Sequence, residues 1–138
     1  MSYLLDTNVI SELLKPKADR GVLRWLDQQQ RSSLHLSVLS IGEIHKGMEK
    51  PGLDADKRAR IKHWLDSTLP QWLEGRMLPV DIAIAERWGH LQAQAGRTLP
   101  TIDSLLAATA LHAGLTIATR NVADFRSFEG LEIINPWD

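Results

Sequence analysis

The chain has 138 residues, 43% of them hydrophobic, no cysteine, and 16 Lys and Arg against 17 Asp and Glu, for a formal charge of −1. This is the length of one domain with apolar content for a packed core, and it excludes disulfide staples, thiolate zinc sites, cysteine nucleophiles and an obviously basic nucleic-acid binder. The N-terminus has no basic stretch followed by an apolar signal core, and no apolar run is long enough for a membrane span, so residues 1–138 read as one soluble, cytoplasmic domain.

Tyr3–Asp6 is a short apolar run closed by a carboxylate and predicts the first strand. Asn8 is a suitable N-cap for a first helix that stops before Pro16. A second helix is expected over roughly Arg20–Gln30, a strand over Leu34–Ser37, and a third helix from Ser37 or Val38 to about Lys50, ended by Pro51-Gly52. The fourth, from Asp56 to about Thr68, carries Ile61, Trp64, Leu65 and Thr68 at helical spacing, and Pro70 is expected to kink or end it. After a strand at Met77–Val80, Asp81 opens a fifth helix with Ile84, Trp88, Leu91 and Ala95 on one face and Gly96 beyond its end. A sixth follows Thr101, which is available as its cap, presents Ile102, Leu105, Leu106 and Thr109 on one face, and stops at Gly114. Thr116–Ala118 and Leu131–Ile134 are the last strands, with a short helical turn after Asn121 between them. The alternation predicts an α/β fold of three layers, a mostly parallel sheet of about five strands with helices on both faces. Lys15–Asp19 and Pro51–Asp56 are expected to be the most flexible segments.

Four acids stand out by position. Asp6 ends the first strand, Glu43 lies in the second turn of the third helix, Asp103 opens the sixth helix, and Asp124 follows the fourth strand. In an open α/β sheet, ligands bind outside the carboxyl ends of the strands, and a helical Glu43 leans back toward that edge. Each acid alone reads more simply as a cap, a first-turn charge or a solvated side chain. Together they predict one acidic pocket. Two carboxylates about 5 Å apart repel by roughly 3 kcal/mol at an effective dielectric near ~20, so four need protons or a cation. Oxygen-only ligands select Mg²⁺ or Mn²⁺ over zinc. With those four charges neutralised, the rest of the chain carries a formal +3, compatible with a nucleic-acid substrate. The expected chemistry is hydrolysis of a phosphodiester or phosphomonoester by a metal-activated water, with a carboxylate as general base. Thr119 and Asn121 can orient carboxylates or water, and Arg120 reads as a phosphate contact or a solvated loop charge.

Other chemistries find little support. His35, His45, His63, His90 and His112 show no zinc spacing, and no Gly-x-Ser-x-Gly elbow, P-loop or dinucleotide fingerprint occurs. Trp25, Trp64, Trp72, Trp88 and Trp137 could stack on bases but mostly sit beside Leu and Ile, which favours core or partner packing. Lys57, Arg58, Arg60 and Lys62 form a solvated helix face.

The segments Leu5-Asp6-Thr7-Asn8, Ser37-Val38-Leu39-Ser40-Ile41-Gly42-Glu43, Ile102-Asp103-Ser104-Leu105-Leu106-Ala107-Ala108-Thr109-Ala110 and Ala118-Thr119-Arg120-Asn121-Val122-Ala123-Asp124-Phe125 resemble those of PIN-domain ribonucleases. More closely, they resemble bacterial toxins of the VapC/FitB type, over essentially the whole chain, including the closing Asn135-Pro136-Trp137. The resemblance implies a PIN-like fold and a Mg²⁺- or Mn²⁺-dependent endoribonuclease. It implies that Asp6, Glu43, Asp103 and Asp124 are the acidic positions, with Thr119 as polar helper and Asn8 beside the pocket. It also implies a homodimer, held inactive by a small antitoxin that occupies the groove and binds operator DNA. The rival readings are a catalytically silent PIN scaffold in a DNA-bound regulatory complex and a metal-dependent DNA nuclease or phosphatase.

Overall fold

Tyr3, Leu4 and Leu5 form β1, and all three are buried. Successive strand side chains point to opposite faces. Tyr3 and Leu5 therefore enter one core with Val9, Ile10, Leu36 and Leu69, while Leu4 enters a second core with Leu106, Ile117 and Phe125. A strand apolar on both faces belongs in the middle of a parallel sheet. β1 pairs in parallel with β2 (Leu34–Ser37) on one side and β4 (Thr116–Ala118) on the other. β3 (Met77–Leu78) and β5 (Ile133–Ile134) close the edges, giving the order β3-β2-β1-β4-β5 with every pairing parallel. The computed structural model describes all 138 residues.

Helices cover both faces, as expected. α1 (Thr7–Leu13), α2 (Arg20–Gln28), α3 (Val38–Met48) and α4 (Ala55–His63) contribute to the first core, and α7 (Thr101–Ala113) and α8 (Val122–Phe125) to the second. α6 (Ile82–Ala95) lies against α7, fixed by the Trp88 indole N–H donating to Ser104 Oγ at 2.9 Å. Of its expected apolar face, Ile84 is buried, Trp88 and Leu91 are half-buried, and Ala95 is exposed. No helix is long and apolar enough to cross a membrane.

Several local details differ from the sequence reading. α1 starts at Thr7, capped by Asp6 and not by Asn8. Thr101 is the first residue of α7 and does not cap it: Pro100 holds that position, and the Ser104 hydroxyl donates to the Pro100 carbonyl at 2.6 Å. The fourth helix does not break at Pro70. It passes through a π-turn at Trp64–Thr68, where the Leu69 N–H reaches the Trp64 carbonyl five residues back, and continues as α5 (Leu69–Trp72). A proline has no N–H for the residue four back and crowds that carbonyl; the wider π-turn before Pro70 accommodates both faults. β3 and β5 are each two residues long, shorter than Met77–Val80 and Leu131–Ile134. Lys15–Asp19 is tied at both ends: Glu12 accepts from Lys15 Nζ at 3.1 Å and from the Asp19 N–H at 3.0 Å.

The register sets the site. Leu5 lies beside Leu36 and Ala118, so Asp6 and Thr119, the first residues beyond β1 and β4, and Ser37, the last of β2, lie side by side at one edge. The chain builds outward from β1 to β2 and β3, then returns to β4 and β5 on the other side. Asp6 and Thr119 therefore flank the point where strand order reverses, the favoured ligand crevice of such sheets.

Candidate active site at the carboxyl edge of the sheet

Asp6 is the most constrained of the four acids, with 6% of its surface exposed. Its Oδ1 accepts the Thr7 N–H at 2.7 Å, and its Oδ2 accepts the Thr119 hydroxyl at 2.7 Å and Asn8 Nδ2 at 3.3 Å. Burial pushes its pKa up, the Thr119 and Thr7 hydrogen bonds oppose that, and the charges of Glu43 and Asp124 add to the rise. Thr119 is fully buried, and its oxygen also accepts the Asn121 N–H at 3.0 Å. One hydroxyl thus joins the β1 end, the β4 end and the loop beyond.

Glu43 sits in the second turn of α3 and leans back over the strand ends, as helical side chains do. Its Oε1 accepts the Thr7 hydroxyl at 2.6 Å, and the buried Ser40 hydroxyl lies 2.9 Å from the same Thr7 oxygen. Asp103, in the first turn of α7, is half-buried. Burial raises its pKa to about 6, with further upward pushes from Asp6, Asp124 and Glu43. No protein hydrogen bond to the Asp103 carboxylate opposes this rise.

An open cleft of about 350 Å³ brings Asp6, Glu43 and Asp103 together with Thr7, Asn8, Ser11, Glu12, Lys15, Arg120, Asn121 and Trp137. Asp124 stands one step outside. It is exposed on α8 and lines the adjoining depression with Arg120, Asn121 and Asn135. Its charge is nevertheless felt at both Asp6 and Asp103. Thr119 lies beneath the cleft floor, behind Asp6.

Three contributors escaped the sequence reading. Glu12 is 5% exposed and walls the cleft; its pKa is lowered because the Asp19 N–H and Lys15 together outweigh burial. Asn8, Ser11, Glu12 and Lys15 recur at helical spacing opposite Val9 and Ile10, a polar stripe that could have marked this wall. Ser40 had no signal beyond its place three residues before Glu43. Trp137, expected in core or partner packing, supplies the one apolar side chain of the cleft while also touching the first core. Its N–H donates to Asn135 Oδ1 at 3.0 Å, a turn that carries the segment after β5 back across the strand ends.

The donor set suits a hard cation: all oxygen, four carboxylates, and no basic side chain paired with any of them. The ion pairs of the molecule are Lys15–Glu12, on the wall of the cleft, and Lys62–Asp66, and neither involves any of these four. As the side chains stand, no three acidic groups are arranged to hold a metal ion. Asp6 and Glu43 are turned instead to the Thr119 and Thr7 hydroxyls. The residues present fit Mg²⁺ or Mn²⁺ in chemistry, as an all-oxygen donor set.

Residues 3–131 match the family model of the PIN domain. The chain is 40% identical over 139 residues to the VapC ribonuclease Y4jK of Sinorhizobium fredii, covering 98% of this chain and 97% of that protein. It is 32% identical over 137 residues to toxin FitB of Neisseria gonorrhoeae, covering 97% of each. The crystal structure of FitAcB from Neisseria gonorrhoeae superposes with a TM-score of 0.86 at 31% identity, covering 98% of both chains. The structure of FitAB bound to the IR36 DNA fragment gives 0.86 at 29% identity, covering 99% of this chain and 96% of that one. The fold, the strand-end acids and these likenesses agree: the chain belongs to the PIN-domain family, among relatives of the VapC and FitB type.

Proposed function

We propose that this protein is a metal-dependent endoribonuclease acting as the toxin of a toxin–antitoxin pair. The observation that carries the reading is Asp103, a half-buried carboxylate facing three other acids with neither a hydrogen bond nor a cation to balance it. The names of the relatives, a ribonuclease and a toxin, support the substrate class and the role.

Asp6 and Asp103 are the first ligands for Mg²⁺ or Mn²⁺, with Glu43 and Asp124 completing the acidic ring and positioning water. A bound ion supplies a lowered water pKa and charge neutralisation at a phosphoryl oxygen. The protein's own part is orientation. Thr119 holds Asp6 through a 2.7 Å hydrogen bond. Thr7 engages Oε1 of Glu43 and leaves Oε2 free to accept a proton from the attacking water. That water would bond to phosphorus as the bond from phosphorus to the leaving ribose oxygen breaks, and the leaving oxygen would take a proton from solvent to depart as an alcohol. The partners in this reading are RNA as substrate, a second copy of the chain, and a small DNA-binding antitoxin that carries the complex to operator DNA. FitAB bound to a DNA fragment supports the last of these.

The test is cleavage of RNA, DNA and a small phosphomonoester by wild type and Asp6→Asn. RNA cleavage in Mn²⁺ that falls by at least about 100-fold in Asp6→Asn is expected, consistent with loss of an ion-mediated rate effect. Wild-type rates in Asp6→Asn, or full activity in excess EDTA, contradict the assignment. Selective cleavage of DNA or the monoester moves the protein to the corresponding rival class. The catalytically silent scaffold is favoured by the hydrogen bonds already made by Asp6 and Glu43, and it predicts no cleavage of any substrate.

A further inference from the structure

The cleft has one aromatic wall, and a cation lies against it. The Arg120 guanidinium carbon is 5.3 Å from the centre of the Trp137 ring, and both side chains line the cleft with Asp6, Glu43 and Asp103. Arg120 is exposed and makes no ion pair, whereas Lys15, the other basic residue of the cleft, is taken by Glu12 at 3.1 Å. Arg120 is thus the free positive charge in an otherwise acidic cleft.

Its placement relative to the acids is fixed by backbone. Arg120 follows Thr119, whose hydroxyl holds Asp6, and the Arg120 N–H donates to Asn8 Oδ1 at 3.3 Å. Trp137 is anchored separately. Its N–H is bonded to Asn135, Pro136 is buried, and the indole packs against the first core. The guanidinium lies over the indole ring, and as a base takes that face the exposed Arg120 side chain is displaced to the adjoining phosphate oxygen, an arrangement that suits a phosphate and a base of one strand. An acidic peptide would use the charge but gain little from the indole.

We propose that Arg120 and Trp137 form a nucleotide clamp, in which Trp137 stacks on a base and Arg120 binds the adjoining phosphate, seating single-stranded RNA across the cleft. The clamp rests on the ribonuclease reading above. Neither residue takes part in proton transfer; their contribution is affinity and register.

The probe is a fluorescein-labelled single-stranded oligoribonucleotide, read by fluorescence anisotropy with full-length protein in the Asp6→Asn background so that the RNA persists. Adding Trp137→Ala weakens binding about tenfold and Trp137→Phe by less, since a smaller ring still stacks. Adding Arg120→Gln lowers the slope of log affinity against log salt by about 0.7, the value for one phosphate contact on a single strand. A merely structural role for Arg120 does not move that slope. Intrinsic tryptophan emission quenched by RNA loses part of its quenching in Trp137→Phe, which keeps the packing. Circular dichroism melting confirms that each variant folds, and Trp137→Phe keeps the test sound if Trp137→Ala does not. Unchanged affinity, salt slope and quenching overturn the clamp and leave the pair as a protein-contact element. Failure of the parent reading shows separately, as RNA cleavage that survives Asp6→Asn alone. An Asp6→Asn protein that binds no RNA overturns the clamp as well.

Discussion

Replacing Asp103 by Asn should stabilise the ion-free protein, and the gain should depend on pH. The Asp103 carboxyl has a pKa near 3.8 in the unfolded chain and about 6 in the folded one. The folded state therefore holds the proton more tightly, so the contribution of Asp103 to stability is complete below about pH 4 and is lost as pH rises through about 6. A shift of about two units is worth at most about 3 kcal/mol at ~1.36 kcal/mol per unit. Asp103 is only half-buried, and solvent screening reduces that to about 1 kcal/mol. Asn removes the charge that burial and the other acids oppose. The variant is expected to match wild type near pH 4 and to exceed it by about 1 kcal/mol at pH 8. For a chain of this size that is a rise in melting temperature of about 3 °C. Urea unfolding in EDTA, followed by circular dichroism across this range, measures it. Mn²⁺ should reverse the order, because a cation that binds the folded state favours the protein with the complete acidic set. A wild-type stability that climbs from pH 5 to 8, with Asp103→Asn indistinguishable from it, refutes the electrostatic argument.

Thr119→Val removes the hydroxyl bound to Asp6 at 2.7 Å and should cost about 2 kcal/mol in urea unfolding, while Thr119→Ser keeps most of it. The Asp6 pKa should rise further in Thr119→Val and not in Thr119→Ser, read by NMR titration. Glu12→Gln loosens the clip on the α1–α2 loop, so trypsin should nick after Lys17 several-fold faster than in wild type. Because the Glu12 pKa is lowered on folding, its stabilisation is present above the ordinary value of 4.5 and fades as pH falls below it. Leu5→Ala opens a cavity beneath Asp6 in a fully buried strand and should cost about 2–5 kcal/mol by the same unfolding measurement.

The large features were legible because they rest on periodicity and on where apolar runs stop. Tyr3-Leu4-Leu5, Leu34-His35-Leu36 and Thr116-Ile117-Ala118 announced the three central strands, and the acids at or beyond their ends announced the edge. Cap assignments at Asn8 and Thr101 failed for a shared reason. Asp6 and Pro100 stand just before plausible capping residues, and each helix takes its N-cap earlier than the residue that local propensity favours. Pro70 was expected to kink or end its helix; the chain takes a π-turn before it and stays helical only to Trp72, and a π-turn is not visible in composition. Asp124 was expected in the same pocket as the other acids but sits on a four-residue helix that turns it to the adjoining depression. The Glu12 clip and the Trp137 wall depend on tertiary meetings between α1, the loop before α2 and the segment after β5. A single sequence gives spacing along one element, and these contacts lie between elements.

The most direct test of the acidic centre is calorimetric titration of Mn²⁺ into the wild-type and Asp6→Asn proteins at neutral pH. Saturable binding by wild type that weakens by at least about tenfold in Asp6→Asn is the predicted result, the effect of removing a charged oxygen ligand for a hard cation. No saturable heat with wild type, or equal affinity in the two proteins, contradicts it.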